Sequence, residues 1–208
     1  MTVREIYAKY QIMPQLRNHM FWVTGVAEMV MDGWKNDVDK SLVIKTCLLH
    51  DMGNLAKFNL DVALPGTEPF DSTWKQKQKE FIATYGSNAH EATARICTEL
   101  GALDVVPVLE DVKKVYESSP TIEELKKVSF ATLIVMYADM RVMPKGICSL
   151  NERIEDLMRR YQQVFKNFKW THDFESYLAQ KTFTCLEEIT DRSMTKTTAE
   201  YLDLQILE

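Results

Sequence analysis

The sequence predicts an all-α protein folded as a single domain, and three observations predict it. Apolar residues recur at helical spacing in successive stretches, those stretches open at capping residues and close near glycines, and none of them alternates as a half-buried strand would. With only 7 glycines and 6 prolines among 208 residues, the composition is that of a helix-rich globule. A chain of this length can bury one substantial core and does not need a second.

Composition and charge narrow the function classes. A formal net charge of −5 argues against a nucleic-acid polymer as the main ligand, because tracking a phosphate backbone wants clustered Lys and Arg. It leaves room for a small phosphorylated substrate held by local cations. The longest apolar run, Phe130 to Ala138, is far short of the roughly 20 residues of a spanning helix, so no membrane segment is expected. Arg4, Glu5, Lys9 and Arg17 are scattered through the N-terminal stretch, which lacks the apolar centre of a secretory signal. Cys47, Cys97, Cys148 and Cys185 show no CxxC spacing and read as reduced thiols of a cytoplasmic protein.

Taken in order, Pro14 opens the first helix, from Gln15 to about Trp34, with Leu16, Val23, Val26, Ala27 and Val30 at helical spacing. His19 shares the face of Val23 and Val26. By itself it reads as a core histidine bonded to a carbonyl. Asp37 or Asp39 caps the next helix, which runs through Leu42, Val43, Ile44 and Cys47 to His50, and Gly53 is expected to stop it as a left-handed residue. Lys57 to Phe70, containing Leu64-Pro65-Gly66-Thr67-Glu68-Pro69, is the one long irregular connection, a kind of loop that often carries function. Lys57 reads there either as a solvated loop lysine or as a point charge for a substrate phosphate.

Asp71 caps a polar helix from Ser72 to about Tyr85, whose Lys75, Lys77 and Lys79 form a solvated face. Gly86 ends it. Asn88 with Glu91 makes a capping-box-like start for a helix bearing His90 and continuing through Ala94, Ile96, Cys97 and Leu100 to Gly101. Asp104 opens a further helix with Pro107 in its first turn, where proline is tolerated. Thr121 and Glu124 form a capping box for the helix whose apolar run leads to Asp139. Ser149 and Glu152 form another, for a long helix to about Phe168 whose Arg153, Arg159 and Arg160 are assigned to solvent and salt bridges. Thr171 caps a helix beginning His172-Asp173, and a last helix runs from about Thr197 to Leu207.

The chemistry concentrates in Cys47-Leu48-Leu49-His50-Asp51-Met52-Gly53-Asn54. An apolar helix there delivers an imidazole and a carboxylate side by side. An ionised aspartate in an apolar setting costs several kcal/mol unless a cation or strong hydrogen bonds hold it, so a metal ion is the economical partner. The same cost applies to Asp139 at the end of its apolar run. His172-Asp173 is a decoy, since no apolar run precedes it and the helix macrodipole alone selects aspartate in a first turn.

His19, His50-Asp51 and Asp139 together form an H…HD…D pattern that resembles the HD-domain metal-dependent phosphohydrolase superfamily over roughly residues 10 to 165. Two local echoes support the resemblance. His50-Asp51-Met52-Gly53-Asn54 is similar to the HDxGN or HDxGK variant of the core motif, and Tyr137-Ala138-Asp139-Met140-Arg141-Val142 is similar to a Y-A-D-x-R-V segment found around the last ligand. The resemblance implies an HD-type helical bundle with C-terminal accessory helices from about 171 to 208. It makes His19, His50, Asp51 and Asp139 the ligands of one divalent metal, with Mn, Fe, Co, Ni or Mg suited to the ligand types and Zn less favoured at six-coordination.

The activity so implied is hydrolysis of a phosphoester in a small phosphorylated substrate, a nucleotide foremost. His90 lies in a first helical turn whose free N–H groups favour an anion, and it reads as a general acid, as a ligand to a second metal, or as a surface histidine. Two other readings remain. HD-like folds also house dinuclear iron oxygenases, which use additional histidines, of which His90 could supply one. A non-catalytic, metal-stabilised binding or regulatory module is the other, and the complete ligand set argues against it.

Overall fold

Thr2 accepts a hydrogen bond from the Glu5 N–H, and Glu5 accepts one from the Thr2 N–H at 2.7 Å; this reciprocal cap opens α1, Val3–Lys9. The helix buries Val3, Ile6 and Tyr7. It precedes Pro14, where the sequence reading begins its helices. The computed structural model describes residues 1–62, 70–160 and 169–208, and helices dominate them as the sequence predicts.

Pro14 stands at the first position of α2, Pro14–Asp32, where its missing N–H costs nothing. Asp39 caps α3, Lys40–Leu49, by accepting from the Leu42 N–H at 2.9 Å. A short 3-10 turn, Asn54–Lys57, follows and ends where the expected irregular connection, Lys57 to Phe70, begins; residues 63–69 of that connection lie outside the described residues. The N-cap of α4, Thr73–Tyr85, is Ser72 rather than the expected Asp71, whose carboxylate instead accepts from the Thr73 N–H at 2.7 Å from one position further out. Asn88 accepts from the N–H groups of His90 and Glu91 to open α5, Ala89–Glu99. α6 is Val105–Ser118, and the carboxylate of Asp104 before it pairs with Lys45 at 2.5 Å rather than capping the helix.

The Thr121 capping box forms, but its helix α7 spans only Ile122–Leu125. The run leading to Asp139 is a separate helix, α8, Phe130–Asp139, capped by Ser129, so one expected helix is two. The absence of strands expected from the sequence is also corrected. β1, Val142–Met143, and β2, Gly146–Ile147, pair antiparallel around Pro144-Lys145, with Val142 opposite Ile147. Two residues per strand are too few for an alternation to show in sequence.

Ser149 and Glu152 cap each other to open α9, Leu150–Arg160; the expected continuation to Phe168 falls outside the described residues. α10 is Lys169–Ala179, so Thr171 is not its cap but a buried residue within it. The last helix, α11, stops at Leu202 instead of Leu207. Beyond it Gln205 bridges to Thr2, because the exposed backbone of the N-terminal stretch offers the pairing.

Two apolar clusters make the core. One surrounds α8 and includes Val23, Val26 and Val30 of α2, Val43 and Cys47 of α3, and Phe174 of α10. The other takes Ile6 of α1, Met20 of α2, Leu48 and Leu49 of α3 and Ile96 of α5. The division between them passes through α2 and α3 beside His19 and His50. No helix of the described residues is long and apolar enough to cross a membrane.

The guanidinium of Arg141, two residues beyond the end of α8, is fully buried. Its Nε donates to the Cys148 carbonyl at 2.6 Å, and its terminal nitrogens donate to the Leu186 and Ile189 carbonyls at 2.7 and 3.0 Å and to the Tyr137 hydroxyl. Tyr137 in turn donates to Glu175 at 2.7 Å. Every arm of the guanidinium is thus occupied, which is what holds the segment after α10 against the end of α8.

Candidate metal centre

Three helices meet so that two imidazoles and two carboxylates face one another. His19 stands in the second turn of α2, His50 terminates α3, Asp51 follows it in the turn, and Asp139 is the last residue of α8. His19 Nε2 is 3.1 Å from Asp139 Oδ1 and 3.4 Å from Asp51 Oδ2. His50 Nε2 is 3.7 Å from both Asp139 Oδ1 and Asp51 Oδ1. One ligand atom each from His19, His50 and Asp139 lies within 4.8 Å of the others. Asp51 completes the ring by turning a different oxygen to each histidine.

The backbone aims these groups. His50 still has helical dihedrals, φ −61° and ψ −26°, so its Nδ1–H can donate to the Cys47 carbonyl at 2.8 Å. That bond selects the tautomer whose Nε2 lone pair faces the carboxylates. The chain then leaves the helix, with the Asn54 N–H donating to the Asp51 carbonyl at 3.0 Å and Met52 fully buried. On α6, the Tyr116 hydroxyl lies 3.5 Å from Asp139 Oδ2 and 3.4 Å from the Met136 carbonyl, so its single proton is shared between the two acceptors and backs the carboxylate.

The donor set fits a cation. His50 Nε2 is buried and has no hydrogen-bond partner among the described residues, an expense that a ligand removes. Two ligands about 2.1 Å from one ion and 90–110° apart are about 3.0–3.4 Å from each other; the His19 separations of 3.1 and 3.4 Å match that range, and the His50 separations of 3.7 Å are wider. Burial opposes charge on His50, yet Asp51 and Asp139 outweigh it and push its pKa up to about 9. Burial would also raise the Asp139 carboxyl, but His19 and His50 hold it well below the usual carboxylate range. Such a cluster holds protons at the place a cation would take, and a bound cation would displace them.

Gly53 is the joint between this turn and α5. Its N–H donates to Thr93 Oγ1 at 2.9 Å, and Thr93 donates to the Ala89 carbonyl at 2.9 Å. A Cβ on Gly53 would stand 2.1 Å from the Ala89 oxygen. The expected left-handed stop is wrong, because φ is −87°. Glycine is required for the close approach of another helix.

That approach brings the first turn of α5, and with it His90, to the turn carrying Asp51. His90 Nε2 meets Glu110 Oε1 of α6 at 2.7 Å, and this hydrogen bond is the main reason the Glu110 carboxyl lies below its ordinary range. His90 is therefore not joined to the four-residue cluster but held beside it in a pair of its own. Lys57 is exposed at the end of the 3-10 turn, and His172 and Asp173 are both exposed on α10.

Sequence reasoning missed Tyr116 and Glu110. Neither carries a local signal, since each gains its role from a partner about 20 residues away in sequence. A separate cleft of about 250 Å³ lies between Tyr10, Leu55, Phe81 and Tyr85, and none of the four clustered residues lines it. No family model, curated protein or solved structure matches this chain.

Proposed function

We propose that this chain is a metal-dependent phosphohydrolase of the HD type, acting on a phosphoester of a small phosphorylated substrate of the nucleotide class. The observation that carries the reading is the buried Nε2 of His50, without a hydrogen-bond partner among the described residues and grouped with ligand atoms of His19 and Asp139 within 4.8 Å of one another, while Asp51 turns an oxygen to each histidine. His19, His50, Asp51 and Asp139 would hold the metal, and a divalent ion there would supply the Lewis-acid charge that polarises a phosphoryl group and acidifies water.

The chain's own residues supply the rest. Cys47 and Tyr116 orient His50 and Asp139. Glu110 takes up His90 Nε2, which leaves Nδ1 as the ring nitrogen that could face a leaving oxygen. Lys57 adds an exposed positive charge past the motif.

The experiment is elemental analysis of the purified protein joined to phosphate release from a panel of nucleotides with Mn, Fe(II), Co, Ni or Mg. About one equivalent of metal and metal-dependent release are expected. Metal-free protein that stays fully folded and gains nothing from any of these ions removes the reading.

His90→Ala separates proton donation from metal binding. The variant is expected to keep the parent's metal content while turnover falls about 10²-fold, the scale of a lost general acid. Measured on one sample, loss of a metal equivalent instead makes His90 a ligand of a second ion, and unchanged turnover makes it a surface residue.

A further inference from the structure

The cleft of about 250 Å³ between the end of α1, the 3-10 turn and α4 has a lining that the metal chemistry does not use. Leu55 and Phe81 are its buried apolar part. Gln11 takes the left-handed conformation just past α1, with φ 49°, and Tyr10 before it stands against Tyr85 of α4 with ring centroids 6.4 Å apart. Phe81 continues this aromatic wall, 4.9 Å from Tyr85.

Both tyrosines are held by a residue outside the lining. Their hydroxyls donate to Glu99 Oε2, Tyr85 at 3.0 Å and Tyr10 at 3.5 Å, and Arg95 Nε donates to the other Glu99 oxygen at 3.1 Å. An aromatic wall fixed in advance loses little freedom when a flat ligand stacks on it.

Charge selects among flat ligands. Lys9 and Lys77 line the cleft, and among the described residues their ammonium groups face aromatic rings instead of carboxylates, 5.2 Å from the Tyr10 centroid and 4.3 Å from that of Trp74. Glu80 is the one carboxylate of the lining, and it accepts from Gln76 Nε2 at 2.7 Å. Two cations and one anion leave a single positive charge, which suits a singly charged anion. Drug-sized ligands fill sites of about 300–1,000 Å³, so a smaller cleft limits the occupant to one ring or a fused pair.

We propose that this cleft binds a small planar aromatic carboxylate, its ring against Tyr10, Phe81 and Tyr85 and its charge in the field of Lys9 and Lys77. None of His19, His50, Asp51 and Asp139 lines the cleft, so the site stands apart from the phosphohydrolase reading.

The test is titration of the full, metal-free chain with indole-2-carboxylate, followed by the backbone amide signals in NMR. Those of Gln11, Leu55, Phe81 and Tyr85 are expected to shift and saturate. Cyclohexanecarboxylate, which keeps the charge without the flat ring, and indole, which keeps the ring without the charge, should each bind about fivefold or more weaker. The double variant Lys9→Gln, Lys77→Gln should bind indole-2-carboxylate about tenfold weaker, the scale of two partly exposed charge contacts. Lys79→Gln removes an exposed lysine of the same helix that does not line the cleft, and it should bind as the parent does.

A parent whose cleft signals do not move overturns the site. So does binding of cyclohexanecarboxylate or indole as tight as that of indole-2-carboxylate, a double variant equal to the parent, or an equal loss in Lys79→Gln. A parent that binds indole-2-carboxylate but hydrolyses no nucleotide keeps the cleft and removes the hydrolase, and the opposite pair of results does the reverse.

Discussion

Asp51→Ala is expected to abolish metal-dependent phosphate release, by at least about 10³-fold, and to leave the purified protein without its metal. Asp51 is the residue that turns one oxygen to each histidine, at 3.4 and 3.7 Å, so its loss opens the ring on two sides. Lewis-acid stabilisation is worth several kcal/mol, and each 1.36 kcal/mol is about tenfold in rate. Asp173→Ala is the matched control in the second His-Asp pair. That carboxylate is exposed on α10, and removing it should leave release within about twofold of the parent. Metal analysis and phosphate release on both proteins check the contrast. Equal losses would mean that the centre has been assigned to the wrong pair.

Gly53→Ala is expected to destabilise the fold by about 3 kcal/mol, the upper part of the range for overpacking. The added methyl would meet backbone on both sides, the Ala89 oxygen at 2.1 Å and the Thr93 nitrogen at 2.7 Å, and neither can swing aside as a side-chain tip could. For a domain of this size the melting temperature should fall by about 6–12 °C. Relief comes only by moving the first turn of α5 off the motif, which carries His90 away from Asp51, so turnover should drop more than metal content. Thermal denaturation with metal analysis measures both. A melting temperature equal to the parent's would show that the two segments are not in contact as described.

These expectations separate what the sequence makes legible from what it conceals. His50 and Asp51 are legible because an apolar helix delivers them, and burying a carboxylate demands a partner whatever the rest of the fold does. Asp139 is legible for the same reason at the end of Phe130–Ala138. Gly53 is read correctly as a needed glycine and wrongly as a left-handed stop, since its constraint comes from Ala89, 36 positions away. α1 carries a readable signal, the Thr2-to-Glu5 capping box ahead of Val3, Ile6 and Tyr7. Ser129 likewise marks the restart of the chain into α8. Glu110 and Tyr116 depend on which helices pack together, and no local pattern encodes that.

The pairing of the chain's two ends has a mechanical consequence. The Val3 N–H donates to the Leu204 carbonyl, the Ile206 N–H donates to the Met1 carbonyl, and Thr2 bridges Gln205 in antiparallel sense. Residues 1 and 208 therefore leave this seam side by side. A load pulling them apart meets the backbone bonds one after another, as in a zipper, rather than all together in shear. The first yielding event under tension should occur at low force and free the segment beyond α11. Tyr201 of α11, buried against Phe21 and donating to Glu28 of α2, and after it the fully buried Arg141, with its grip on Leu186 and Ile189, then stand as the next points of resistance before force reaches the helix that ends in Asp139.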